Sequence, residues 1–408
     1  MDSTDVLVFL PWNPNGPVFV VCIAASSPLT WHLRTDSTRV SYANNSSGLI
    51  HIINVARGLV PAILDDKYEP YLPLFGQTGQ VGTVLTYADL TRDVSPKPCH
   101  SHNDYWRRVP LLDALRAGCT GVEADVWLME DDLFVGHDTR SLKPGWTFRK
   151  LYLDPLVEML NHRNPRQRLS GEIKNGVFEQ APLETLVLLV DLKTSGPETL
   201  AFVEEQISIL RDSQYLSYFD GSSVHKGPIT VVATGNAPFD VLTSNTTYRD
   251  IFFDAPLAEM FEEPVDMIPG RNGEIPPLSP PPKARKRAHQ SHVLRGASGQ
   301  GTVGTTAESS FNTTNSYYAS VSFKKSIGHV WSGRLSAGQM RLIRGQIQGA
   351  KKRGLKVRYW GVPSWPIGLR NYIWDVLVKE GVDYLNGDDL QAMTRMDWSK
   401  RRHHGFFW

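Results

Sequence analysis

The sequence predicts the α/β class, as a closed (β/α)8 barrel of the TIM type with an N-terminal extension and a disordered insertion. Two observations predict it. Beyond about residue 96 short apolar runs alternate with amphipathic ones, and eight of the apolar runs have the length of strands. This is how repeated β-α units around a parallel sheet are written in sequence. The strands are expected near 98–103, 122–128, 186–192, 229–234, 251–254, 317–323, 357–361 and 382–385. Helices are expected at 111–117, 156–161, 200–210, 340–352 and 369–378. The fourth and fifth units signal their helices weakly, which keeps an open doubly wound sheet as the competing architecture. The helix at 340–352 runs up to Gly354, a C-terminal stop signal, and the next strand follows at once.

Residues 1–96 show no repeated β-α unit and read as an extension, with one amphipathic helix expected at 49–64. The barrel is expected over 97–398, interrupted at 264–312, and a basic tail follows at 399–408. The interruption is marked by Pro276, Pro277, Pro280, Pro281 and Pro282, then Lys283 to Arg287, then Gly, Ser and Thr. Such a segment buries too little apolar surface to offset its ordering entropy. Its basic cluster reads as a solvated loop in preference to a nuclear localisation signal. The adjacent histidines of the tail read as exposed.

With 408 residues the chain has room for one large domain with additions or for two ordinary ones. Forty-three Lys and Arg balance forty-two Asp and Glu, a formal charge of +1, which disfavours a nucleic-acid binder. The apolar run 18–25 has Asp2 and Asp5 before it and no Lys or Arg, so a secretory leader is not expected. No run approaches the ~18 apolar residues that a membrane span requires. Cys22, Cys99 and Cys119 form no disulfide framework, since one is always left over, and four Asn-x-Ser/Thr sequons arise readily by chance. The compartment stays open.

In a barrel, functional groups stand at the C-terminal ends of strands and on the loops that follow. The first strand runs into His100, His102 and Asn103; the second carries Glu123 and Asp125; His137 follows Gly136. Side chains at i and i+2 share a face, so Glu123 and Asp125 both point into the barrel. Two inward carboxylates repel unless a cation lies between them, and Mg²⁺ or Ca²⁺ suits oxygen ligands. The third strand is apolar until Asp191 and Lys193. Burying either alone is costly, so both are expected at the same mouth, Asp191 as the third ligand and Lys193 facing a phosphate oxygen. Glu172 and Lys174 repeat the acid-x-base spacing without a long apolar run before them, and rank second. Such a set fits phosphodiester cleavage: metal and Lys stabilise charge on the phosphoryl oxygens, while His102 and His137 serve as acid and base in an order that the sequence leaves open. Trp360 stands at the end of the seventh strand and Trp365 just after it, where aromatics line a substrate mouth as often as they pack, and Asp389 either contacts substrate or caps the next turn.

The motifs H-S-H-N-D-Y from His100, E-A-D-V-W from Glu123, G-H-D from Gly136 and V-D-L-K-T from Val190 resemble the phospholipase-C-like phosphodiesterase superfamily. That group includes glycerophosphodiester phosphodiesterases and the spider-type sphingomyelinases D. Within it the chain is most similar to the fungal altered inheritance of mitochondria protein six family, over about 96–395. The resemblance implies a barrel and a divalent metal, Mg²⁺ or Ca²⁺, on Glu123, Asp125 and Asp191. It also implies catalytic His102 and His137 and a phosphate-contacting Lys193. Asn103 stands where glycerophosphodiesterases have Arg, which puts that mode of substrate contact in doubt, and His100 beside His102 makes the histidine assignment ambiguous by two residues. Asn103, His100 and Trp360 are the further substrate-binding candidates.

The expected partner is a small-molecule or lipid phosphodiester, with peripheral membrane contact compatible with such a substrate, and the expected state is a monomer. Two other readings compete. An amidohydrolase uses His-x-His after its first strand for a transition metal, but lacks further strand-end histidines here, although Asp388 and Asp389 would meet its last requirement. A non-catalytic barrel would bind phosphorylated headgroups or a protein.

Overall fold

The computed structural model describes residues 6–8, 21–25, 30–35, 38–43, 89–165, 173–264 and 302–401. The chain divides into two compact units, Met1–Tyr71 and Leu72–Trp408. In the first, strands Val6–Val8, Val21–Ala25, Thr30–Thr35 and Thr38–Ala43 form an antiparallel sheet in chain order. The helix expected at 49–64 lies outside the described residues.

The second unit is a closed parallel barrel. Its strands are β1 (Lys97–Ser101), β2 (Cys119–Met129), β3 (Leu186–Leu192), β4 (Ile229–Gly235), β5 (Ile251–Pro256), β6 (Ser316–Ser322), β7 (Lys356–Trp360) and β8 (Tyr384–Gly387). Each pairs in parallel with the next, and β8 returns to β1. Closure of the eight parallel strands on one another settles the choice between a barrel and an open sheet. Between the strands lie α1 (Leu112–Ala117), α2 (Asp154–Arg163), α3 (Gly196–Gln206), α4 (Ser208–Asp212), α5 (Phe239–Leu242), α6 (Phe323–Ser326), α7 (Ala337–Lys352) and α8 (Ile367–Glu380), and α9 (Leu390–Thr394) follows β8. The single helix expected at 200–210 is two, divided at Ile207. The weakly signalled units are weak in the fold too: α5 is one turn, and only the 3-10 turn Leu257–Glu259 follows β5 among the described residues. Helix α7 starts at a capping box, Ser336 with Gln339, and stops before Gly354 at φ 74°.

Alternation along the strands builds the barrel interior in layers. On β3 the inward series is Val187, Leu189, Asp191 and then Lys193 just beyond the strand. Val187 and Leu189 pack with Val232, Tyr318 and Tyr384 as an apolar plug, above which the interior turns polar. Gly121 on β2 leaves room for the fully buried His100: a Cβ there would meet its Nδ1 at 2.4 Å.

Most of the expected insertion, 265–301, lies outside the described residues, as do 402–408 of the tail. Residues 302–312, read from composition as part of the insertion, are mostly exposed but are fastened to the barrel at two points. Phe239 N donates to Val303 O at 2.9 Å, and buried Phe311 stacks on Phe253. One aromatic side chain anchors a stretch whose overall composition argues for disorder.

Cys99 and Cys119 are joined in a disulfide between β1 and β2. The odd count argues against a disulfide framework, yet parallel strands separated by a short helix bring these two together in a single bond. The bond closes a segment with a sequence separation of 20, and chain entropy assigns such a loop about 3 kcal/mol. Replacing both by Ala is expected to lower unfolding stability by that order, read from a denaturant titration. A midpoint unchanged from the oxidised chain would show the bond to be energetically idle.

Candidate active site

Asp125 and Asp191 face each other across the β2–β3 register, and Glu123 stands two residues before Asp125 on the same face. One carboxylate oxygen from each of the three lies within 4.8 Å of the others, and all three residues are buried. Lys193 Nζ bridges Asp191 Oδ2 at 2.6 Å and Asp125 Oδ2 at 2.9 Å. The other oxygens of the two aspartates, Asp125 Oδ1 and Asp191 Oδ1, are buried without a hydrogen-bond partner. Three carboxylates against one ammonium leave negative charge uncompensated, and the orphaned oxygens are the hard donors that a divalent cation takes. The donor set therefore fits Mg²⁺ or Ca²⁺.

The electrostatics follow from this crowding. Burial pushes Asp191 up to about 6 against the pull of Lys193. Burial and the charge of Asp191 raise Asp125 well above the usual carboxylate range. For Lys193 burial opposes the charge, but Asp191 and Asp125 outweigh it and hold the ammonium above its ordinary value.

The strand after β2 explains the position of His137. Strand β2 runs on past the rim, turns at Glu130 with φ 55°, and pairs antiparallel with Asp132–Val135. The chain so returned brings Gly136 N to 3.2 Å from Asp125 O, and His137 Nδ1 to 3.9 Å from Asp125 Oδ2. The half-exposed ring packs beside Trp106, with centroids 5.1 Å apart. Burial and then Lys193 lower its pKa.

His102 stands on the other flank. Its Nδ1 donates to Asp388 Oδ1 at 3.0 Å, so Nε2 is the nitrogen that Asp388 does not engage. Burial opposes protonation, but the Asp388 hydrogen bond and the charge of Glu123 outweigh it, so the pKa is raised. Asn103 adopts the left-handed conformation, φ 45° and ψ 50°, which Asn tolerates, and its N–H points at Glu123 Oε2 at 3.3 Å. Tyr105 reaches Asp125 Oδ2 and Asn103 Oδ1, both at 2.8 Å, and His137 Nδ1 at 3.2 Å. Its single proton serves one acceptor at a time, and burial with Asp125 keeps it protonated.

Other candidates stand apart from this cluster. His100 is fully buried one layer deeper, with Nδ1 3.2 Å from the Tyr318 hydroxyl, and burial followed by Arg358 holds it neutral. That placement puts the ring inside the barrel, where its Nε2 is buried without a hydrogen-bond partner. Trp360 ends β7 with Lys325 Nζ 5.8 Å from its ring centre. Asp389 caps α9 through Ala392 N at 3.0 Å and pairs with Arg370 at 2.7 Å. Glu172 lies outside the described residues, while its neighbour Ile173 is exposed.

Several groups at the site escaped sequence reasoning. Tyr105 stands in the H-S-H-N-D-Y motif with no role implied by it, and the sequence suggests Asp388 only for the amidohydrolase alternative. Arg358, buried inside the barrel, donates to Ser320 Oγ at 3.0 Å, Asn386 Oδ1 at 2.9 Å and Asp254 Oδ2 at 3.2 Å. It ties β5, β6, β7 and β8 together beneath the mouth. A charged residue within a strand was the available signal.

Comparison with known proteins supplies a family. Residues 88–254 match an AIM6-like phosphodiesterase domain. A relative from Arthroderma benhamiae, "Altered inheritance of mitochondria protein 6 homolog", is 34% identical over 315 residues, 74% of this chain and 85% of the relative. "Altered inheritance of mitochondria protein 6" of Eremothecium gossypii is 33% identical over 315 residues, 76% of this chain and 72% of that protein. The Saccharomyces cerevisiae S288c protein of the same name is 32% identical over 319 residues, 74% and 71% of the two chains. No solved structure matches the chain. With this identity over most of both lengths, the chain belongs to the altered inheritance of mitochondria protein 6 family and carries its AIM6-like phosphodiesterase domain.

Proposed function

We propose that this chain is a metal-dependent phosphodiesterase that cleaves a phospholipid, lysophospholipid or glycerophosphodiester by histidine acid-base catalysis. The observation that carries the reading is the cluster of Glu123, Asp125 and Asp191 around Lys193, with His102 and His137 on its two flanks. A divalent cation on the three carboxylates would supply Lewis-acid stabilisation of charge on the phosphoryl oxygens.

The chain's own groups supply the rest. Lys193 has three N–H donors and spends two on Asp125 and Asp191, so the third is left for a phosphoryl oxygen. Asp388 favours the protonated form of His102, which suits that ring to deliver a proton to the leaving oxygen. His137, the imidazole open at the mouth, then takes the proton of the attacking hydroxyl or water. Tyr105 and the Asn103 N–H hold Asp125 and Glu123 in place.

The reading is tested by incubating the full chain with choline, ethanolamine, inositol and glycerol phosphodiesters, in Mg²⁺, in Ca²⁺ and in chelator. Turnover of at least one diester with a cation, and its loss in chelator, is the expected result. No turnover of any of them under either cation rejects it.

A further inference from the structure

The described residues include three strongly exposed indoles, Trp106, Trp331 and Trp365, at 58%, 80% and 62% exposure. All three sit on loops that leave the C-terminal ends of strands: Trp106 between β1 and α1, Trp331 between β6 and α7, and Trp365 between β7 and α8. In the barrel order β6, β7, β8 and β1 are consecutive neighbours, so these loops occupy one continuous arc of the mouth. The β6–α7 loop is tied to helix α8, since Leu335 N donates to the Tyr372 hydroxyl at 3.2 Å.

The arc has one sign of charge to spare. Residues 323–336 and 361–366 hold Lys324, Lys325 and Arg334 and no acidic residue, and Arg108 is exposed beside Trp106. The two acids on the β8 loop are engaged, Asp388 with His102 and Asp389 with Arg370. Separate indoles interleaved with basic side chains, with no broad aliphatic patch between them, are the composition of an interfacial anchor. An indole sits at the headgroup level with its N–H wet, and Lys and Arg meet anionic lipid.

We propose that this arc docks the barrel mouth on an anionic lipid bilayer, so that the site draws its phosphodiester from the membrane surface. The inference deepens the phosphodiesterase reading and rests on it only for the identity of the substrate; docking itself is measured without turnover.

The test mixes the full chain with vesicles of phosphatidylcholine alone and of phosphatidylcholine with phosphatidylserine, and reads cosedimentation and tryptophan emission. The expected result is binding to the serine-lipid vesicles with a blue shift, weakened by salt. Trp331→Ala with Trp365→Ala is expected to lower the partition coefficient about tenfold, and Lys324→Glu with Arg334→Glu by a similar factor. Glycerophosphocholine or another soluble diester cleaved by the wild type is expected to be turned over normally by the tryptophan double variant. Wild-type protein left in the supernatant with both vesicle types overturns the proposal. So does a double variant that sediments as well as the wild type, or one that loses soluble turnover, which would make these indoles part of the catalytic pocket. Vesicle binding by a chain that cleaves no diester at all supports docking while removing the phosphodiesterase reading.

Discussion

Replacing His102 or His137 by Ala is expected to lower turnover of a cleavable diester by ~100-fold or more, the scale of a lost general acid or base. The double variant is expected to fall little further than the worse single one, because an acid and a base that act in one step fail together. The Asp388→Asn variant separates chemistry from architecture. Asp388 is half exposed, and its hydrogen bond is a principal cause of the raised pKa of His102. In the proposed mechanism the reactive form of His102 is the protonated one, so kcat is expected to fall as pH rises through that pKa. Removing the carboxylate lowers the pKa and moves the alkaline limb of the pH profile to lower pH, while the rate well below the limb is kept. A profile that drops evenly at every pH with its limb in place would take the acid's role away from His102. Near-normal rates in either alanine variant would do the same for that histidine.

What the sequence discloses of this molecule divides along a physical line. The strands are legible because each must be apolar on the faces it buries, and β3, buried throughout, is the plainest. The carboxylates are legible because period-two geometry puts Glu123 with Asp125, and an acid at the end of an apolar strand has few places to go. Contacts between distant segments are less so. His102 meets Asp388 across 286 residues, and nothing local in either segment encodes that register. The Cys99–Cys119 pairing depends on β1 and β2 lying side by side, which is known only once the barrel closes. His100 and His102 look alike in sequence, and only the depth of the barrel separates a buried ring from one at the rim. Phe311 shows the opposite limit, where a segment's average composition hides one side chain that is packed.

The largest stability effect is expected at Lys193. Its ammonium is the near neighbour of Asp125 and Asp191, both buried, so Lys193→Met leaves three carboxylates within 4.8 Å with that charge removed. Breaking a buried ion pair from one side costs about 3–5 kcal/mol, and this order of loss is expected at neutral pH. The pH dependence has a definite sign. Asp191 is raised from 3.8 to about 6 in the fold, so its neutral form stabilises the barrel below about 4, and that contribution is lost as pH rises through about 6. Without Lys193 its pKa rises further, so the deficit of the variant is greatest above that window and shrinks as the solution is acidified. In the proposed site, Mg²⁺ or Ca²⁺ held by the carboxylates would replace part of the missing positive charge. Each is therefore expected to raise the melting temperature of Lys193→Met by more than that of the wild type, and to leave Asp191→Ala unmoved. Equal shifts in all three proteins would mean that the cation binds elsewhere, and an unchanged stability in Lys193→Met without metal would mean that the ammonium does not hold these carboxylates together.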